Sequence, residues 1–165
     1  MFAPALLITL VSLLSFISAS PVKKRYSTVK IRSARDNKCL SPQGARWTDG
    51  TQVVTVDCAS AARWDINPGS GSVILHGSTY ALDAGTGSTN NAIVKLANST
   101  PGAFQQTWYL TTDNRIAITG GNQCLDEGDN GPQTYQCTSG NTNQGMLYVQ
   151  WHSCICQQAL MWRTF

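Results

Sequence analysis

The feature that most constrains this chain is a motif that returns three times. Lys38-Cys-Leu-Ser41, Tyr80-Ala-Leu-Asp83 and Gln123-Cys-Leu-Asp126 place Cys39, Ala81 and Cys124 at steps of 42 and 43 residues. Eight residues before each anchor stands a β-branched apolar residue: Ile31, Val73 and Ile116. After each anchor comes a turn-forming stretch, Thr48-Asp-Gly50, Thr89-Asn-Asn91 or Asp129-Asn-Gly131, with residues that tolerate positive φ. Second anchors follow at Cys58, Ser99 and Cys137, and two copies end in Trp-x-aliphatic, Trp64-Asp-Ile66 and Trp108-Tyr-Leu110. An ordered set recurring at a fixed period means three similar supersecondary units stacked over a common core.

Inside each copy the apolar runs are short. Gln52-Val-Val-Thr-Val56, Ala92-Ile-Val-Lys-Leu96 and Arg115-Ile-Ala-Ile118 read as strands. Outside the first twenty residues no window shows apolar residues at i, i+3, i+4 and i+7. The pattern predicts an all-β fold of about twelve short strands, four per repeat. Closing three such units into a barrel-like body removes exposed sheet edges. Trp64 and Trp108 are then expected in the core, where losing one to Ala costs ~3–5 kcal/mol.

Composition agrees. The 165 residues suit one domain with a real core. Ser 15, Thr 17, Asn 10 and Gly 14 supply the polarity, while charged residues are only 13% against roughly 25% in soluble domains. That excludes a coiled coil, a helical bundle and a charged disordered tail. The net charge of +3 comes from Lys23, Lys24 and Arg25, without which nine basic residues face nine acidic ones. A neutral body lacks the basic footprint that holds phosphates, so nucleic acid is not an expected partner.

The ends are read separately. MFAPALLITLVSLLSFISAS, residues 1–20, has an apolar run closed by small residues, as a secretory signal peptide does. The other reading is a signal anchor, for which the run is short. With the leader removed no membrane span remains, and the protein is expected outside the cell. Residues 21–25, Pro-Val-Lys-Lys-Arg, read either as a basic propeptide that would make Tyr26 the first mature residue, or as a solvated linker. In an oxidising compartment Cys39, Cys58, Cys124 and Cys137 are disulfide candidates, and four cysteines allow three pairings.

Cys-Leu-Asp early in a repeat and Gln-x-Trp late in it, three times over, resemble the ricin-B-type β-trefoil lectins. The late motif is intact as Gln106-Thr-Trp108 and degenerate as Ala62-Arg-Trp64. The resemblance runs from Lys30 to Gln144, and its tone is that of small secreted fungal members. It implies the pairs Cys39–Cys58 and Cys124–Cys137, each closing a hairpin and contributing about 3 kcal/mol. It also implies carbohydrate as the partner, most commonly a galactose-type sugar, with no cofactor and no metal.

A shallow sugar site needs a carboxylate for vicinal hydroxyls, an aromatic face for the C–H side of the ring, and amides to fix orientation. In the resembled family these stand two residues after the first cysteine, two and four before the second, and in the late amide pair. The third repeat has each of them as Asp126, Tyr135, Gln133 and Asn143-Gln144. The expected roles are stacking for Tyr135, hydroxyl binding for Asp126, donation from Asn143, support of Asp126 by Gln144, and support or rim contact for Gln133. The second repeat keeps Asp83 and Gln105-Gln106 but has Lys95 and Ala97 at the other positions, which makes it a weak second site. The first repeat, with Ser41, Val54 and Val56, reads as structural. Asn98-Ser-Thr100 is a glycosylation sequon directly followed by Pro101.

The trefoil is expected over 26–148, with an anomalous segment at 149–165. Met146 stands where the pattern wants Trp. Either Leu147-Tyr-Val149 forms the last strand with Met filling the gap, or Trp162-Arg-Thr-Phe165 is a displaced ending behind an insertion; the extra residues read either as translated intron sequence or as a genuine lineage-specific tail. Cys154, Cys156 and His152 are too few and too close to make a metal site. Asp126, Glu127 and Asp129 crowd one loop, whereas glycoside hydrolysis needs carboxylates facing each other across a bond, ~5–10 Å apart. The expected function is therefore non-catalytic sugar binding. The alternatives are a trefoil that inhibits proteases or acts as a defence toxin on protein targets, or one that binds nothing.

Overall fold

The computed structural model describes residues 26–67 and 69–150. The leader at 1–20, the basic stretch at 21–25, and His152, Cys154, Cys156 and Trp162 lie outside the described residues. Among the described residues there are twelve strands: β1 (Tyr26–Ser33), β2 (Cys39–Pro42), β3 (Val53–Val56), β4 (Trp64–Ile66), β5 (Ile74–Leu75), β6 (Tyr80–Asp83), β7 (Lys95–Asn98), β8 (Trp108–Leu110), β9 (Ile116–Ile118), β10 (Gln123–Gly128), β11 (Gly131–Gln136) and β12 (Met146–Gln150). The only helical pieces among the described residues are 3₁₀ turns at Phe104–Gln106 and Thr142–Gln144. None is long and apolar enough to cross a membrane.

All pairing is antiparallel, and it follows the repeat. Within each copy the second and third strands form a hairpin: β2–β3, β6–β7 and β10–β11. The first and fourth strands build a closed ring. β12 pairs β1, β1 pairs β4, β4 pairs β5, and β8 pairs β9. Two main-chain links complete it: Gly71 exchanges hydrogen bonds with Trp108, and Met146 N–H donates to the Asn114 carbonyl at 2.7 Å. The three hairpins lean on one another across the end of this barrel. Val53 N–H donates to Val94 O, and Val94 N–H to Pro132 O, both at 3.0 Å.

The periodic residues fill the core. Ile31, Val73 and Ile116 are buried, as are Leu40, Leu82 and Leu125 beside the anchors. Trp64 and Trp108 are also buried, and their indole N–H groups donate to Leu40 O at 3.1 Å and Leu82 O at 2.9 Å. Each ring thus ties the fourth strand of its repeat to the second while filling space. Met146, 1% exposed, occupies the third such position. The strand it opens pairs five residues against β1 and runs through Gln150, past the 148 boundary read from the sequence. The closing strand is therefore the one that begins at Met146, and a displaced ending at Trp162 is not needed to close the barrel.

The hairpin turns use positive φ at matching places: Gly50 at 86°, Asn91 at 60° and Gly131 at 100°. Disulfides join Cys39 to Cys58 and Cys124 to Cys137, the pairing that the resemblance implied.

Candidate functional site

The third repeat carries a cleft of about 300 Å³. That is the small end of ligand pockets, which run ~300–1,000 Å³. Asp126, Gln133, Tyr135 and Asn143 line it, joined by Arg35, Asp129 and Asn141. Strand register explains the grouping. Asp126 lies opposite Gln133 across the β10–β11 hairpin, and Tyr135 is two residues further along β11, on the same face. The disulfide at Cys124 and Cys137 closes the open end of that hairpin.

Asp126 is 3% exposed and forms the floor. Its Oδ1 accepts from Gln133 Nε2 and its Oδ2 from Asn141 Nδ2, both at the long distance of 3.4 Å. These are weak bonds, since an N–H···O contact is optimal near ~2.9 Å. Tyr135, 38% exposed, offers its ring to the cleft. Asn143 is oriented from its backbone, because the Asn141 side chain caps the 3₁₀ turn by accepting from Asn143 N–H at 3.0 Å.

Gln144 does something other than expected. It is fully buried, accepts from Thr138 N–H at 2.9 Å and donates to Gln136 O at 2.9 Å. It ties the end of β11 to the 3₁₀ turn, and the support of Asp126 passes to Gln133 and Asn141. In the second repeat the expected arrangement is present. Gln106 Nε2 donates to Asp83 Oδ2 at 3.0 Å, while Gly85 N–H donates to Asp83 Oδ1 at 2.8 Å. Both oxygens of Asp83 are thereby engaged by good internal donors, and Gln105 stands half-buried beside them. Asn98 is exposed at the end of β7, its N–H given to Asp49 Oδ1 at 3.1 Å.

Asn141 and Arg35 are cleft residues that the sequence reading missed. Asn141 lies two residues before Asn143 in the same amide-rich stretch, and that proximity was a usable signal. Arg35 left none. It belongs to the β1–β2 turn and reaches the third repeat only because the barrel closes there. Its guanidinium donates to Glu127 O at 2.6 Å and to Asp129 Oδ1, clamping the β10–β11 turn. His76 has Nδ1 3.1 Å from both oxygens of Asp65, and neither residue lines the cleft. No group of three or more potential metal ligands occurs among the described residues.

Comparison with known proteins agrees with this architecture. A family model, the ricin-type beta-trefoil lectin domain, matches residues 27–146. Curated proteins give no match. Among solved structures the chain is similar to ThreeFoil, a designed threefold-symmetric protein, at TM-score 0.62 and 23% identity, covering 74% of this chain and 97% of that one. The C-half of an earthworm R-type lectin in complex with GalNAc is similar at TM-score 0.59 and 18% identity, with coverage of 74% and 97%. An exo-β-1,3-galactanase from Clostridium thermocellum is similar at TM-score 0.63 and 20% identity, covering 75% of this chain but only 30% of the enzyme. These likenesses establish the fold, and the family match over the whole repeat body establishes the lineage: the chain belongs to the ricin-type β-trefoil lectin domain family.

Proposed function

We propose that the protein is a non-catalytic carbohydrate-binding protein that holds one galactose-type sugar in the third-repeat cleft and works outside the cell. The observation that carries this reading is Asp126. A carboxylate at the floor of a cleft, held by two bonds of 3.4 Å, has acceptor capacity left for the vicinal hydroxyls of a sugar. The exposed Tyr135 ring supplies the apolar face, and Asn143 an amide at the rim. Family membership supports the same chemistry. The second carboxylate of the cleft, Asp129, is engaged by Arg35, which argues against a pair of carboxylates acting across a glycosidic bond. The apolar leader and two disulfides support export.

A glycan array followed by calorimetric titration tests the reading. Asp126→Ala and Tyr135→Ala are expected to abolish binding, and Asp83→Ala to preserve it. Unchanged binding in both third-repeat variants would overturn the site. A single shallow site binds weakly, so agglutination would require a second copy of the chain.

A further inference from the structure

Asp126 and Glu127 are consecutive in β10, so their side chains leave opposite faces of the strand. Asp126 lines the cleft described above. Glu127 lines a second one, about 440 Å³, formed where the first repeat docks on the third. Its walls come from Val54 and Thr55 of β3, from the β1–β2 turn, and from the β10–β11 turn. The two clefts share Arg35, Gly128 and Asp129 as a common ridge.

Glu127 is 5% exposed. One carboxylate oxygen, Oε1, accepts from the Thr55 hydroxyl at 2.9 Å. The other, Oε2, is buried with no hydrogen-bond partner. Burial also pushes its carboxyl above the usual range. The remaining charges at this cleft pair with one another, Arg35 with Asp129 and Lys38 with Asp36. Glu127 Oε2 is left as the atom that lacks a donor.

We infer that the second cleft is a subsite for the next, neutral sugar unit of an oligosaccharide whose terminal unit sits on Asp126, with a hydroxyl of that second unit donating to Glu127 Oε2. The inference rests on the carbohydrate reading above. A neutral unit is specified because a sugar carboxylate would meet the Glu127 carboxylate, whereas a hydroxyl supplies the missing donor. Val54 gives the unit an apolar contact.

Titration calorimetry on the full chain, with galactose and a series of neutral galactose-terminated di- and trisaccharides, tests it. At least one oligosaccharide should bind about tenfold tighter than galactose, the ~1.4 kcal/mol of one added hydrogen bond to a carboxylate. Glu127→Gln, which keeps the shape but removes the charge that strengthens the bond, should cut that gain to about threefold or less and leave galactose affinity within about twofold. In the unmutated protein, the oligosaccharide should shift the NMR amide signals of Thr55 and Lys38, which galactose alone leaves in place. This second readout does not depend on how the variant folds. A series with no gain, a gain that stays above about threefold in Glu127→Gln, or unmoved Thr55 and Lys38 signals overturns the subsite alone. Failure of galactose and every oligosaccharide to bind overturns the carbohydrate reading, and the subsite with it.

Discussion

Gly128 gives the sharpest test of how the cleft is built. A Cβ placed there falls 2.4 Å from Gln133 Cδ and 2.5 Å from its Nε2. No real Cβ sits so close, so in Gly128→Ala the Gln133 amide must leave its place. The backbone accepts the change, since Gly128 does not use a positive φ. What is lost is the bond from Gln133 Nε2 to Asp126 Oδ1, 3.4 Å long in a half-exposed setting. A bond of that quality contributes about 0.5–1.5 kcal/mol, which translates to sugar binding weakened roughly two- to twelvefold. Stability should hardly change. Ala restricts the unfolded chain and adds ~0.4–1 kcal/mol, which offsets the lost bond, so the melting temperature should stay within about 4 °C. A double-mutant cycle decides the matter. If the methyl acts by evicting Gln133, then Gly128→Ala has no effect on affinity in a Gln133→Ala background. Further weakening in that background, or destabilisation beyond about 2 kcal/mol, would refute the reasoning.

Three other outcomes are expected. Trp108→Phe leaves Leu82 O without its indole donor and opens space in the core, so urea denaturation should show a loss of about 2–4 kcal/mol; less than ~1 kcal/mol would contradict the role assigned to the ring. Replacing Cys124 and Cys137 together by Ser frees a loop of sequence separation 13 and should cost about 3 kcal/mol, with an unchanged denaturation midpoint as the refuting result. The Glu127 carboxyl, raised from 4.5 chiefly by burial, makes the folded chain hold its proton to higher pH than the unfolded chain does. Its contribution to stability is therefore full below about pH 4.5 and falls as pH rises through the folded value. Glu127→Gln should flatten that part of the profile, and parallel curves for the two proteins between about pH 4 and 7 would show that the group is not responsible.

The fold was legible because it is periodic. Ile31 and Ile116 lie in the first strand of their repeats and Val73 directly precedes its own, and all three are buried. Gly50, Asn91 and Gly131, each the last residue of a turn-forming stretch, all take positive φ. Local chemistry repeated three times leaves a pattern that a single sequence displays. What was not legible depends on contacts between repeats. Arg35 meets Asp129, and Thr55 meets Glu127, across sequence separations of 94 and 72 residues, and no spacing rule connects them. The same holds for Asp65, whose carboxylate faces His76 of the next repeat. Met146 was ambiguous for a different reason. Its thioether fills the place of an indole without the indole's hydrogen bond, so the motif position pointed to it but left a displaced ending as a second reading.

The three repeats also differ in how the residue two after the first anchor is held. The residue two after the first anchor has a structural task in each copy: it holds the second strand to the segment before the fourth. In the first repeat Ser41 does so through its hydroxyl, which accepts from Ala62 N–H at 3.3 Å. In the second, Asp83 does so with bonds of 2.8 and 3.0 Å, and its carboxylate is consumed by them. In the third, Asn141 makes that tie to Asp126 at the longer distance of 3.4 Å, while Gln144 bonds Thr138 and Gln136 as Gln106 bonds Thr100 and Asn98. Asp126 is thereby left with two bonds of 3.4 Å and an open cleft above it. An aspartate at this position is thus not evidence of a binding site in itself. What separates Asp126 from Asp83 is that Gln106 reaches Asp83 at 3.0 Å in addition to bonding Thr100 and Asn98, whereas Asp126 is held at 3.4 Å by Gln133 and Asn141.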